Sequence, residues 1–183
     1  MTNGINQASS TTLVWDENPS QTAQQINQKM QDYLGISNYM VQEDPNGTYI
    51  DHIDCWGKFL APDKVLIRRV PTSHPQYNEI EATAAFYASS VSSYGTKYKV
   101  FRVDTPNNEP YTNSFIMKNK VCVPIMGTFN DAQAIVAYQN AMPGYQIIGF
   151  QGNPSTPWES TDALHCRTHE MADFGMLMIS HMP

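Results

Sequence analysis

The sequence predicts an α/β chain assembled from repeated strand–strand–helix–strand units, and three observations carry that expectation. Short β-branched and aromatic runs alternate with helical stretches in the same order along the chain, with a period of roughly 55–60 residues. The helical stretches each carry one apolar stripe, the pattern of helices packed on a sheet. His52, Asn113 and Cys166 fall in the first strand of successive units. Units repeated about an axis bring equivalent positions to one place, so an imidazole, an amide and a thiol far apart in sequence can meet.

Taken in order, polar residues with Gly4 and Asn6 lead into a strand-like run, Thr11 to Trp15, and Pro19-Ser20 signals a helix with Ser20 as N-cap. Ala23, Ile26, Met30 and Tyr33 or Leu34 form its apolar stripe, and Gly35 suits its C-terminal cap. Strand-like Asn38 to Val41 follows. The next unit opens with strand Tyr49–Leu60, turns at Pro62-Asp63 and returns as Val65–Val70. A helix starts near Pro75, tolerated in a first turn. Ile80, Ala84, Tyr87 and Val91 mark its buried face, Gly95 ends it, and strand Tyr98–Val103 closes the unit. The order then recurs: strand Tyr111–Met117, turn at Asn119, strand Val121–Ile125, helix Asp131–Ala141, strand Gln146–Phe150. A last strand pair, Ala163–His169 and Met176–Ser180, has no helix after it. The boundaries are a partial unit 1–45, units 46–104 and 105–152, and a partial unit 153–183, with no linker separating domains.

On a strand, side chains two apart share a face. His52 and Asp54 therefore point together, while Cys55 points away and is disfavoured as a thiol working with His52. Cys166 is the better nucleophile, with His165 and Arg167 as neighbours that favour a thiolate where their side chains lie close. An imidazole beside it can protonate a leaving group and then deprotonate water. A carboxylate in the same cleft matches the fork of a guanidinium. A lone strand histidine is more often structural, and it is the repeat placement of His52 that reverses this. His165, His169 and Glu170 resemble a metal cluster, but their spacing suits a helix, and a strand is expected there, so no metal is assigned. Cys122, between two valines, reads as inert core.

Bulk properties narrow the partners. A length of 183 residues suits one domain, and 41% hydrophobic with 15% charged residues is a globular composition. A net charge of −6 and a pI near 5.2 argue against a nucleic-acid platform and fit a cationic substrate. No apolar run reaches the roughly 20 residues of a membrane helix, and Met1 to Gly4 lacks the basic and apolar regions of a signal peptide. Three cysteines leave at least one thiol free.

Several ordered motifs resemble the Porphyromonas-type bacterial peptidylarginine deiminases of the guanidino-group-modifying superfamily. They are His-Ile-Asp-Cys-Trp-Gly-Lys-Phe-Leu-Ala-Pro-Asp-Lys from His52, Ile-Arg-Arg-Val-Pro from Ile67 and Gly-Thr-Lys-Tyr from Gly95. Pro-Tyr-Thr-Asn-Ser from Pro110, Ala-Met-Pro-Gly-Tyr from Ala141, Thr-Pro-Trp from Thr156 and Thr-Asp-Ala-Leu-His-Cys-Arg-Thr-His-Glu from Thr161 continue the series. The resemblance runs from roughly Ser20 to the end.

It implies a five-bladed α/β propeller, or pentein, of which about three blades are represented here as an incomplete ring. It also implies hydrolysis of peptidyl-arginine, in arginine-containing peptides or proteins, to peptidyl-citrulline and ammonia. Cys166 becomes the nucleophile, His52 the general acid and then base, Asp54 a guanidinium ligand and Asn113 a residue that orients the site. Tyr49 and Thr161 match positions near the substrate. No cofactor is implied. The family's second guanidinium-binding aspartate and its substrate-anchoring arginines belong to blades N-terminal to this segment. The expectation is thus the C-terminal part of a deiminase catalytic domain, impaired alone and completed by an N-terminal half. The family implies a secreted parent, which the start of this chain does not display. A small-guanidine deiminase of the agmatine type and a non-catalytic binding or assembly remnant are the alternatives, and a papain-like protease reading ranks last because no local motif resembles that family.

Overall fold

The computed structural model describes residues 1–48 and 50–169. Strand β1 (Gln7–Thr11) pairs in parallel with β2 (Asn38–Gln42), and the connection between them holds helices α1 (Leu13–Asp16) and α2 (Ala23–Leu34). A 3-10 turn at Ile53–Cys55 precedes the hairpin of β3 (Gly57–Ala61) and β4 (Lys64–Arg69). Helix α3 (Tyr77–Ser89) crosses back to β5 (Lys99–Asp104), which lies parallel to β4. The second unit repeats this wiring. Hairpin β6 (Phe115–Met117) and β7 (Lys120–Ile125) is followed by helix α4 (Asn130–Ala141) and parallel strand β8 (Gln146–Gln151). Both three-stranded sheets run hairpin strand, central strand, crossover strand.

The central strands explain the core. Val65, Leu66 and Ile67 of β4 are fully buried on both faces of the sheet. Val65 and Ile67 pack with Trp56, Phe59 and the Ile80, Ala84, Tyr87 face of α3. Leu66 points the other way, into a second cluster with Val103, Tyr111, Val121, Val123 and Tyr138. One strand therefore joins the two cores through its alternation. β3 approaches β4 closely at Gly57, where a Cβ would lie 2.9 Å from Ile67 Cδ1 and that methyl would have to shift.

Several sequence expectations need correction. The first strand is Gln7–Thr11, fixed by its register with Asn38–Gln42, and Leu13–Asp16 is helical rather than extended. The cap of α2 is Thr22, not Ser20: Thr22 Oγ1 accepts from Gln25 N while Gln25 Oε1 accepts from Thr22 N, and the residue three beyond Ser20 is an alanine that cannot return the bond. Gly35 closes the helix at φ 68°, as expected. Of the apolar stripe only Ile26 is buried; Tyr33 and Leu34 face outward, because the two-stranded sheet beneath the helix is too narrow to cover its last turn. Val91 lies beyond the end of α3 and is exposed. Cys122 is half-buried on the side of β7 facing Phe115 and Ile148, not sealed in the core.

The first strands of the expected units are shorter than the sequence indicates. Residues 52–56 turn before β3 begins, and Tyr111–Ser114 forms a turn ahead of β6. Ala163–His169 is turn and irregular chain, not strand, held by Arg167 N to Ala163 O and Thr168 N to His165 O. The expected strand Met176–Ser180 lies outside the described residues.

The 111–114 turn is pinned from below by α4. Tyr138 Oη donates to Tyr111 O at 2.7 Å and lies 2.8 Å from Ser114 Oγ. Tyr138→Phe strips a buried carbonyl of its donor. We expect urea unfolding to show a loss of about 1–3 kcal/mol with an unchanged m-value; equal stability would show that the hydroxyl holds nothing.

Candidate active site

The site forms where three irregular segments meet above the two cores. The first is the 3-10 turn. Asp51 adopts a left-handed backbone at φ 48°, a conformation aspartate tolerates, and the chain reverses into His52. Ile53, Asp54 and Cys55 are then buried together. His52 and Asp54 thus converge through a turn and not through strand alternation. For the same reason Cys55 is not on an opposite face: its Sγ lies 3.7 Å from Thr161 O, beside the site. Burial, and next the charge of Asp54, push its thiol far up, so it stays protonated.

The second segment is the 111–114 turn. Thr112 Oγ1 donates to Asp54 O at 3.0 Å and ties the two turns together. Asn113, fully buried, reaches the third segment, residues 161–168. Its Oδ1 accepts from His165 N at 2.9 Å and Cys166 N at 3.2 Å, its main-chain oxygen accepts from His165 N at 3.0 Å, and its Nδ2 donates to Cys166 Sγ at 3.0 Å. One amide side chain therefore fixes both backbone and sulfur of the cysteine segment.

At the centre stands the Asp54 carboxylate. Its Oδ2 accepts from His165 Nδ1 at 2.6 Å and from the Cys166 thiol at 3.2 Å. Burial, the largest single influence, would raise its pKa, but these two hydrogen bonds together with the nearby His165 and His52 imidazoles outweigh it and hold the carboxyl below its ordinary range. A carboxylate can only accept, so Nδ1 of His165 carries the proton of that pair. The Cys166 thiol is shifted upward, first by desolvation, against the Asn113 bond that favours the thiolate and with Asp54 opposing it. His52 completes the cluster: its ring nitrogen, an Asp54 oxygen and Cys166 Sγ all lie within 4.8 Å of one another. These are the described donors that could converge on a metal ion, a mixed N/O/S set. Two of them already bond to each other, and no metal is assigned.

His52, Asp54, Asn113 and Cys166 are brought together as expected. Thr161 contributes its carbonyl, 3.9 Å from Cys166 Sγ, with its side chain not engaged in a hydrogen bond among the described residues. Tyr49 lies outside the described residues, as does Glu170. Arg167 does not serve the thiol. Its guanidinium binds Asp162, Thr156 O and Pro157 O and stacks 5.1 Å over Trp158, bracing the loop. The pairing of His165 with Asp54 is the feature sequence reasoning missed, because neighbours on a strand point apart whereas neighbours in a turn can share a side.

A cavity of about 700 Å³ opens onto the site. His52, Asp54, Lys58 and His165 line it, as do Glu17 and Asp51.

Comparison with known proteins bears on the family and the fold. A model of the Porphyromonas-type peptidyl-arginine deiminase family matches residues 4–171. A Yersinia pseudotuberculosis protein, provisionally named an agmatine deiminase, is 26% identical over 165 residues, covering 73% of this chain and 45% of its own length. The fold matches a crystal structure from Porphyromonas gingivalis, provisionally named an arginine deiminase, with TM-score 0.77 and 20% identity over 90% of this chain and 53% of the other. It also matches the Enterococcus faecalis agmatine deiminase with TM-score 0.71 and 20% identity, covering 81% and 49%. The chain spans about half the length of the relatives it matches. The mixed α/β architecture of small sheets is that of these deiminases.

Asn113→Ala should release the cysteine segment. Hydrogen exchange at the Cys166 amide is expected to quicken about tenfold or more, and alkylation of the thiol should need a higher pH. An unchanged amide would refute the role of Asn113 as a clamp.

Proposed function

This chain belongs to the Porphyromonas-type peptidyl-arginine deiminase family, and on that premise we propose that it hydrolyses a guanidino group to a ureido group and ammonia through a covalent bond to Cys166. The observation that carries this reading is the convergence of an accessible thiol, an imidazole and a carboxylate within 4.8 Å, with the sulfur held by Asn113.

A planar cation entering the cavity finds in Asp54 an acceptor for its N–H groups. It displaces the thiol from Oδ2, and its charge favours ionisation of Cys166. The thiol proton passes to His52, and sulfur attacks the guanidinium carbon, forming a C–S bond. His52 returns that proton to a departing nitrogen, the C–N bond breaks, and ammonia leaves a thiouronium. Water then attacks the same carbon and yields a proton to His52. The C–S bond breaks, the ureido product departs, and His52 re-protonates the sulfur. The remaining proton goes to solvent and is taken up by ammonia.

Peptidyl-arginine is the substrate the family description supports. A small guanidine carrying a second cation is favoured by a separate observation. Asp51 and Glu17 face the same cavity as Asp54, and the carboxyl of Asp51 is pushed upward by burial and then by Asp44, with Glu43 and Asp16 adding to it. A cationic tail would relieve that crowding, and relatives carry agmatine deiminase names. Because relatives are about twice as long, the activity is expected to be weak alone and raised by a separately supplied N-terminal half.

The test is product formation from an arginine peptide and from agmatine, with and without that half, alongside labelling by a haloacetamidine. We expect ureido product, an adduct on Cys166, and loss of turnover by at least about a thousandfold in Cys166→Ser. Protection of the thiol by the peptide or by agmatine tells the two substrate classes apart. Neither product nor adduct under either condition would overturn the assignment.

A further inference from the structure

Arg68 stands in β4, the strand that joins the two cores, and is 3% exposed. Arginine is seldom buried so deeply without a carboxylate beside it, yet Arg68 forms no ion pair among the described residues. Its guanidinium instead reaches two side-chain amides. Nη1 donates to Asn46 Oδ1 at 3.1 Å, and Nη2 donates to Asn108 Oδ1. Nε is buried and has no partner among the described residues. Burial pushes the pKa down to about 10, which leaves the group a cation at neutral pH. A buried charge met only by neutral amides costs stability, so its position calls for a reason.

Each amide leads to one of the turns that build the site. Asn46 lies in the loop before the 3-10 turn. Its main-chain oxygen accepts from Gln76 Nε2, and its Nδ2 donates to Cys55 O at 3.4 Å, the carbonyl next after that of Asp54. Asn108 lies in the loop before the 111–114 turn, in a left-handed backbone at φ 60° that asparagine tolerates, with its N–H on Thr105 O at 3.1 Å. The next residue, Glu109, is buried and accepts from Asn130 Nδ2 at 2.7 Å, which ties this loop to α4. A guanidinium presents its donors in a rigid planar fork, so acceptors on two loops are held at one separation, whereas an ammonium is a point charge on a flexible stem. We propose that Arg68 is a positioning residue, a buried strut that sets the distance between the turn carrying Asp54 and the turn carrying Asn113. The bond from Thr112 Oγ1 to Asp54 O at 3.0 Å forms while that distance is kept. The proposal rests on Asp54 and Asn113 being site residues, and its test uses neither a guanidine nor turnover, so it and the proposed hydrolysis can fail separately.

The experiment compares the wild-type chain with Arg68→Met, Arg68→Lys, Asn46→Ala and Asn108→Ala by two NMR readings. One is the titration of the Asp54 carboxyl carbon. The other is hydrogen exchange at the Cys166 amide, which Asn113 Oδ1 holds, taken relative to the Val123 amide in the buried part of β7. A general loss of stability moves the two readings together, whereas a strut with two arms separates them. Asn46→Ala should raise the Asp54 midpoint by about one unit and leave the Cys166 amide near its wild-type ratio. Asn108→Ala should speed exchange at Cys166 about tenfold relative to Val123 and leave the Asp54 midpoint in place. Arg68→Met should show both changes, and Arg68→Lys should side with it, since one ammonium does not reproduce the fork. Should Arg68→Met not fold, the two asparagine variants still decide. Both readings unchanged in Arg68→Met, both restored in Arg68→Lys, or asparagine variants that each move both readings alike would overturn the proposal.

Discussion

The structure of the site depends on one shared acceptor. Asp54 Oδ2 takes hydrogen bonds from both His165 and Cys166, which are neighbours in a segment with no regular secondary structure of its own. Turns of that kind do not hold a thiol to a fraction of an ångström unless something external fixes them. Asn113 does so from one side and Asp54 from the other, and both are themselves anchored: Asn113 by the turn that Tyr138 supports, Asp54 by Thr112. The charge on Asp54 is sustained against burial by those two hydrogen bonds and the neighbouring imidazoles, and it is the charge that the proposed cationic substrate would meet.

The two-unit topology explains why these parts come from distant stretches of chain. Each three-stranded sheet begins with a hairpin whose first strand is preceded by a turn, and in both units that turn carries a site residue. Leu66 of the first sheet packs into the second core, so the units are locked at a fixed offset. Turn meets turn as a result. Rigid sheets provide the position, and the turns provide backbone groups free to bond across the gap.

Much of this was legible in the sequence because it follows from periodicity and residue type. The central strands, the hairpin at Pro62-Asp63, the Ile80, Ala84 and Tyr87 face of α3 and the extent of α4 are set by local patterning, and the recurrence of His52, Asn113 and Cys166 pointed to their meeting. What escaped was decided by hydrogen bonds between segments. A strand through His52 is consistent with its neighbours' composition, yet Asp51 turns the chain and residues 53–55 tighten into a 3-10 turn whose carbonyl binds Thr112. Strand reasoning then misplaced Cys55 and hid the bond of His165 to Asp54. The cap at Thr22 was readable from Gln25, three residues on, whereas the outward turn of Tyr33 and Leu34 depended on how wide a sheet the chain would place beneath them.

The most direct test of the central claim is the ionisation of Asp54 itself. Carboxyl-carbon NMR titration of the intact chain, with the signal assigned by Asp54→Asn, should show this group losing its proton below the ordinary aspartate range, and moving upward when His165 is replaced by alanine. An Asp54 that titrates at or above the ordinary range, and is indifferent to His165, would contradict the picture of a carboxylate that gathers the site around its charge.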